Sequence, residues 1–157
     1  WEHMLAQSLD NVIDINSRLP KPVFIKSDGT AIPAKKSGMR TDIVIEDKAA
    51  KKLTILDAKY YDATTVENSP GWADLVKQFF YEKAISGMPE FTGYQFGNAL
   101  IFPGQNTVFK EIQMQDVVNA SLAKNGFPSI KCIYFDPMMV LETYKKSSKL
   151  GLKDLIV

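Results

Sequence analysis

Asp42-Ile43-Val44-Ile45-Glu46 and Leu53-Thr54-Ile55-Leu56-Asp57-Ala58-Lys59-Tyr60-Tyr61 are the two stretches that decide the fold. Both are rich in the β-branched and aromatic side chains that suit a pleated surface. The polar run from Asp47 to Lys52 reads as a hairpin connection, which sets the two strands side by side. In the second strand Leu53 and Ile55 share one face, while Leu56, Ala58 and Tyr60 occupy the other. A strand apolar on both faces belongs inside a sheet covered by helices, not at its edge.

The same two strands carry chemistry. Residues two apart on a strand project from one face, roughly 6.6 Å apart, so Asp57 and Lys59 emerge together. The hairpin brings Asp42 alongside, and two acids and a lysine converge. Neighbouring carboxylates repel unless a proton or a cation lies between them. Magnesium accepts one or two carboxylates, waters and phosphate oxygens at about 2.0–2.1 Å. Such an ion polarises a phosphoryl oxygen and lowers the pKa of a bound water. Lys59 can then orient or deprotonate that water, or neutralise the charge that develops on the phosphate. Asp-x-Lys alone is a weak pattern. It gains weight because the acids end strongly apolar strands, with a helix bearing Glu2 upstream and one bearing Lys77, Gln78 and Tyr81 downstream.

Outward from this centre, Trp1, Met4, Leu5, Leu9, Val12 and Ile13 recur at helical spacing, which predicts a helix to about Asp14. Val23 to Ala34 holds a short hairpin turning at Ser27-Asp28-Gly29. Asp62 to Ser69 reads as a loop. Ser69-Pro70 then supplies a helix cap and a proline at the first helical position. That helix runs to about Ile85, with Trp72, Leu75, Val76, Phe79 and Phe80 as its apolar stripe and Gly87 near its end. Phe96 to Phe102 is the next strand, stopped by Pro103-Gly104. Strands at Val108 to Met114 and Ile130 to Phe135, a helix from Asp116 to Lys124 and a closing helix from Pro137 to Lys146 complete the pattern. The expected class is α/β (α+β), a central mixed sheet flanked by helices.

At 157 residues the chain fits a single domain over 1–157 with one sizeable core. A hydrophobic share of 45% against 24% charged sets it among soluble globular chains rather than disordered ones. Its apolar runs are far shorter than the ~20 residues of a membrane helix, and its start reads as no charged-then-apolar leader, so a cytoplasmic location is expected. The chain begins at Trp1 rather than Met, and a longer parent chain is therefore also expected. Cys132, the single cysteine, excludes a disulfide within the chain and cysteine-based zinc clusters, and its neighbours place it in a buried strand. His3 is the single histidine, which leaves Ser/His or Cys/His hydrolysis little support. Carboxylates and lysines carry whatever chemistry there is. The net charge of +1 announces no nucleic-acid partner by itself, but Lys35, Lys36 and Arg40 cluster before Asp42, and Lys145, Lys146, Lys149 and Lys153 cluster at the end. Each cluster reads equally as a phosphate contact or as a solvated face. Of Tyr60 and Tyr61, one packs and the other borders the site.

Asp42 followed by Asp57-Ala58-Lys59 resembles the signature of the PD-(D/E)xK nuclease superfamily, with Thr41 where a proline usually precedes the first acid. That resemblance implies an αβββαβ core over about 1–103, with 104–157 as a C-terminal extension. A narrower resemblance, to LlaJI-type restriction endonucleases and McrC-like nuclease subunits, is carried by Trp1-Glu2, Asp57 to Tyr61, Lys77-Gln78-Phe79-Phe80-Tyr81 and Asn98 to Pro103. It implies an Mg2+-dependent DNA endonuclease, with Mn2+ as a substitute ion. Asp42, Asp57, Glu2 and the Ala58 backbone carbonyl would hold the metal, and Asp42, Asp57, Lys59 and Gln78 would be catalytic. Arg40, Lys36, Lys77 and Tyr60 would contact DNA. The implied partners are double-stranded DNA and either a second copy of the chain or a recognition or motor subunit, in a restriction or phage-defence system. An inactive nuclease-fold scaffold and a junction-resolvase-like nuclease are the competing readings.

Overall fold

The computed structural model of the protein describes residues 1–35, 38–122 and 126–151. α1 (Glu2–Ser8) opens the chain, followed by a small hairpin of β1 (Val23–Ile25) and β2 (Ala31–Pro33). β3 (Ile43–Asp47) and β4 (Lys52–Ala58) are the two decisive strands, and α2 (Trp72–Ser86) and β5 (Gln95–Pro103) follow. The remaining elements are β6 (Glu111–Ile112), β7 (Gln115–Asp116), β8 (Ser121–Leu122), β9 (Ile130–Phe135) and α3 (Pro137–Lys145).

β3 and β4 pair antiparallel from Ile43↔Leu56 to Asp47↔Lys52, closed by a turn in which Asp47 Oδ1 accepts from the Ala50 amide at 2.9 Å. β4 pairs parallel with β5, and β5 parallel with β9. β6 closes the other edge antiparallel to β9, giving the order β3-β4-β5-β9-β6. This is the mixed, helix-flanked sheet the sequence predicts. The stretch after 103 contributes β6 and β9 to that same sheet.

The alternation read in β4 sorts the core into layers. Leu56 packs with Ile43 and Ile45, Leu5 of α1, Leu9 just past its end, and Val140 of α3. Leu53 and Ile55 face the other way, onto Tyr81 and Ile85 of α2. α1 and α3 therefore cover one face of the sheet and α2 the other. Leu56 is fully buried near the sheet's centre. Leu56→Ala is expected to cost about 2–5 kcal/mol in urea unfolding, because it leaves a void between the sheet and the α1–α3 layer that packs on it. The exposed Leu122→Ala should stay within about 0.5 kcal/mol of wild type. Cys132 is buried as predicted, and burial followed by the nearby Glu111 charge pushes its thiol up to about 11.

Several local expectations are corrected. α1 ends at Ser8, because Val12 and Ile13 are recruited to the free edge of β3 instead. Val12 bridges Ile45, the Ile13 amide donates to Val44 O at 2.9 Å and the Glu46 amide to Asn11 O at 3.0 Å. Pairing an open strand edge satisfies more backbone groups than another helical turn would. Ser69 does not cap α2, since its hydroxyl donates to Thr65 O within the preceding loop, and Gly71 takes the cap position. The α2 stripe is also rotated from the expected one. Trp72 and Phe80 are exposed, while Gln78, Tyr81 and Ile85 are buried. The strand expected at Val108 to Met114 is short, Glu111–Ile112 alone.

In place of a helix from Asp116, β7 and β8 form a small hairpin, and residues 123–125 lie outside the description. Asp116 Oδ1 accepts from the Val118 and Asn119 amides, which closes a turn, and Val117 and Val118 find no core to bury against. At the chain's end, the Lys149 ammonium donates to Gln7 O at 2.6 Å and Leu9 O at 3.3 Å, satisfying carbonyls where α1 stops. Lys153, of the same basic cluster, lies outside the described residues.

Candidate active site

Asp42 stands one residue ahead of β3, and carrying the ladder one step past Ile43↔Leu56 sets it opposite Asp57. Both acids share the α2 side of the sheet with Val44 and Ile55. Asp42 is half-buried, and its Oδ2 accepts the Ala58 amide at 2.9 Å, so the strand itself fixes one carboxylate oxygen. Asp57 is buried, and its Oδ2 lies 2.7 Å from Lys59 Nζ as an ion pair outside hydrogen-bond geometry. Lys59 follows the end of β4, with its amide still on the ladder to Ile101 O at 2.8 Å. Its ammonium also donates to Asp74 Oδ1 at 2.6 Å, from the first turn of α2.

The electrostatics follow from this geometry. Burial raises the Asp42 carboxyl above its ordinary range, opposed by the Ala58 amide and reinforced by the Glu2 charge. Burial also raises Asp57, opposed by Lys59 and reinforced by Asp42 and Asp74. For Lys59, burial pulls its pKa down, but Asp57 and Asp74 together overrule it and hold the ammonium charged. Two acids thus face each other with too little positive charge to keep both comfortably ionised.

α2 supplies the rest of the site. Its inward stripe runs Asp74, Gln78, Tyr81, Ile85 at helical spacing. The Tyr81 hydroxyl is raised, by burial first and then by the Asp57 and Asp42 charges, so it borders both acids. Gln78, between Asp74 and Tyr81, is fully buried, and neither of its amide atoms has a hydrogen-bond partner. Together with Asn98 Oδ1, these atoms concentrate unsatisfied polar groups on the α2 side of the sheet. A buried polar atom without a partner costs free energy, and a bound ion, water or ligand removes that cost.

Glu2 lies near enough to raise Asp42, but its Oε1 pairs with Arg40 Nη2 at 3.3 Å, with both side chains largely exposed. Among the described residues no three acidic, histidine or cysteine side chains gather as a metal cage. The donor set is therefore two carboxylates plus backbone, which suits a hard, water-retaining divalent cation. Lys77 is exposed, 3.7 Å from Asp74. Tyr60 is exposed on the far side of β4, its ring 5.8 Å from Trp1. Tyr61 packs edge-on against Phe102, and burial raises its hydroxyl, opposed by the Lys59 charge and reinforced by Asp74 and Asp57. Lys36 lies outside the described residues. Asp74 and Tyr81 are the residues that sequence reading undervalued. The 4-then-3 spacing of Asp74, Gln78 and Tyr81 is the signal for them, masked by the aromatic residues beside it.

The chain is 25% identical, over 163 residues, to the Type II restriction enzyme BsuMI component YdjA of Bacillus subtilis (strain 168). The alignment covers 99% of this chain and 34% of that relative, so the chain spans about a third of the length of the curated relative it matches. The pattern of the LlaJI restriction endonucleases matches residues 1–130, from α1 through the start of β9, and the chain belongs to that family.

Proposed function

We propose that this chain is the cutting module of a restriction system, a magnesium-dependent PD-(D/E)xK endonuclease that hydrolyses phosphodiester bonds of double-stranded DNA. The observation that carries this reading is the opposition of Asp42 and Asp57 with the Lys59 ammonium fixed beside them. Asp42, Asp57 and the Ala58 backbone carbonyl would hold Mg2+, or Mn2+ in its place, which supplies a polarised phosphoryl oxygen and a bound water of lowered pKa. Lys59, held between two carboxylates, is an ammonium that neutralises charge developing on the phosphate rather than a base. Gln78 offers its unpartnered amide to orient water or a phosphate oxygen. Glu2, whose charge already reaches Asp42, would join the acids on leaving Arg40, which would free Arg40 for DNA. Lys36, Lys77 and Tyr60 complete the proposed DNA contacts.

Cutting both strands of a duplex calls for two such sites, supplied by a second copy of the chain. The relative is named as a component of its enzyme, which supports a recognition or motor subunit beside this one. Among the described residues no helix is long and apolar enough to cross a membrane. The module acts on DNA in the cytoplasm.

Plasmid nicking with and without Mg2+, paired with calorimetric titration of Mn2+, tests the proposal. Wild type should nick with the metal, and Asp42→Ala should lose the binding heat. An unchanged isotherm would remove Asp42 from the site. Cutting confined to branched DNA would favour a junction resolvase, and no cutting under any metal or partner condition would favour a scaffold.

A further inference from the structure

β1 and β2 form a two-stranded hairpin separate from the main sheet. Every residue of both strands is exposed, with Phe24 at 64% and Ile25 at 66%. Phe24 pairs with Ile32, while Val23 and Ile25 pair with Pro33 and Ala31, so large apolar side chains stand in solvent on both faces. A lone exposed apolar residue is ordinary, but a contiguous exposed group marks a contact surface. An isolated two-stranded hairpin is also marginally stable by itself.

Its stem is nevertheless fixed. A Cβ on Gly38 would meet Pro20 O at 2.7 Å, so the strands entering and leaving the hairpin touch at its base. The Ala34 amide donates to Pro22 O at 2.9 Å. Asn16 then locks the exit, its Nδ2 donating to Thr41 O at 2.9 Å and its Oδ1 accepting the Thr41 amide at 2.8 Å. The residue after Thr41 is Asp42, so the segment that leaves the hairpin leads straight into the candidate active site.

Charge identifies the partner. Lys21, Lys26, Lys35 and Arg40 are exposed on the hairpin and its stem. Asp28, at the tip, is the one acid between positions 20 and 40, and it accepts the Thr30 amide. Apolar side chains on a ribbon rimmed by cations suit a polyanion with a stacked apolar interior. Duplex DNA is such a partner, its grooves admitting a two-stranded ribbon and its base steps admitting apolar wedges.

Building on the nuclease reading above, we infer that this hairpin grips the DNA substrate. Phe24 and Ile25 bear on base steps in a groove next to the cut, and Lys21, Lys26, Lys35 and Arg40 take the flanking phosphates. The grip positions the scissile bond, because the stem that holds the hairpin also holds the backbone leading into Asp42.

The test uses the full-length protein without metal, with Asp57→Asn in place so that binding is read apart from cutting. Labelled duplex anisotropy is measured for this parent, for Phe24→Ser with Ile25→Ser, and for Lys26→Ala with Lys35→Ala. No buried side chain changes, and melting temperature is checked alongside. The apolar pair should weaken binding about tenfold and lose the fluorescence rise of 2-aminopurine in the duplex, which reports unstacking. The lysine pair should weaken binding to all sequences alike and lower the salt slope by about 2. Parent-like binding by both pairs, or an apolar pair that keeps binding DNA but loses self-association in sedimentation, overturns the inference. If wild type still nicks plasmid in that case, the nuclease reading stands alone. A wild type that neither binds nor cuts DNA sinks both.

Discussion

Asp57→Asn is expected to reduce DNA cleavage on the order of a thousandfold or more while leaving the metal-free protein at least as stable as wild type. The two effects part because Asp57 is placed for charge, not for packing. Its carboxyl is buried at 6% exposure, and burial holds its pKa above the ordinary carboxylate value. The amide fills the same volume without the cost of burying an anion. Lys59 is not stranded by the change, because Asp74 remains 2.6 Å from its ammonium.

A carboxyl with a raised folded-state pKa binds its proton more tightly when folded than when unfolded. Stability contributed by that proton is present at low pH and falls as pH rises from the unfolded value through the raised one. Metal-free melts across the acid range should therefore decline toward neutral pH in wild type. They should decline less in Asp57→Asn, with the remainder owed to Asp42, which is raised in the same direction. Full cutting by Asp57→Asn would remove this residue from the site. An undiminished decline would show that other groups set the slope.

Lys59→Ala should lose both activity and stability, the opposite pairing. Its ammonium is the cation that Asp57 and Asp74 share, at 2.7 and 2.6 Å. Removing it leaves two acids close together, one of them buried. Breaking a buried pair from one side costs about 3–5 kcal/mol, and the partial exposure of Asp74 reduces the expectation to about 1–3 kcal/mol. Cleavage should fall by on the order of a hundredfold or more, since charge stabilisation by a positioned donor is worth that much. Adding Asp74→Asn to Lys59→Ala should restore most of the stability and none of the activity. A double-mutant cycle measures the coupling, and stability effects that simply add would show that Asp74 and Lys59 act independently.

The placement of the candidate site's core residues was legible in the sequence because it depends on short-range regularity. Strand alternation put Asp57 and Lys59 on one face, and the β3–β4 turn brought Asp42 to them. The same alternation assigned Leu56 and Ile55 to opposite layers. Asp74 was not legible in this way. It reaches Lys59 only because α2 crosses the sheet with its first turn over the end of β4, an outcome of packing between elements. The α2 stripe was misread for a related reason. Phe79 packs against the core as its type suggests, but Phe80 is exposed, and the helix face turned to the acids carries Gln78 and Tyr81, so polar groups are buried beside the candidate site.

The ends of elements followed the same rule. Val12 and Ile13 fit a helix by spacing and a strand edge by composition, and the open edge of β3 decided between them. Periodicity and turn chemistry are local, so the sequence by itself determined a mixed sheet, its helical cover and the pairing of two acids with a lysine. Which face each helix buries, which acid shares the lysine, and how the β1–β2 hairpin is braced beside Asp42 depend on contacts between residues far apart in the chain. Those contacts compete for the same surfaces, and only the tertiary structure decides which of them win.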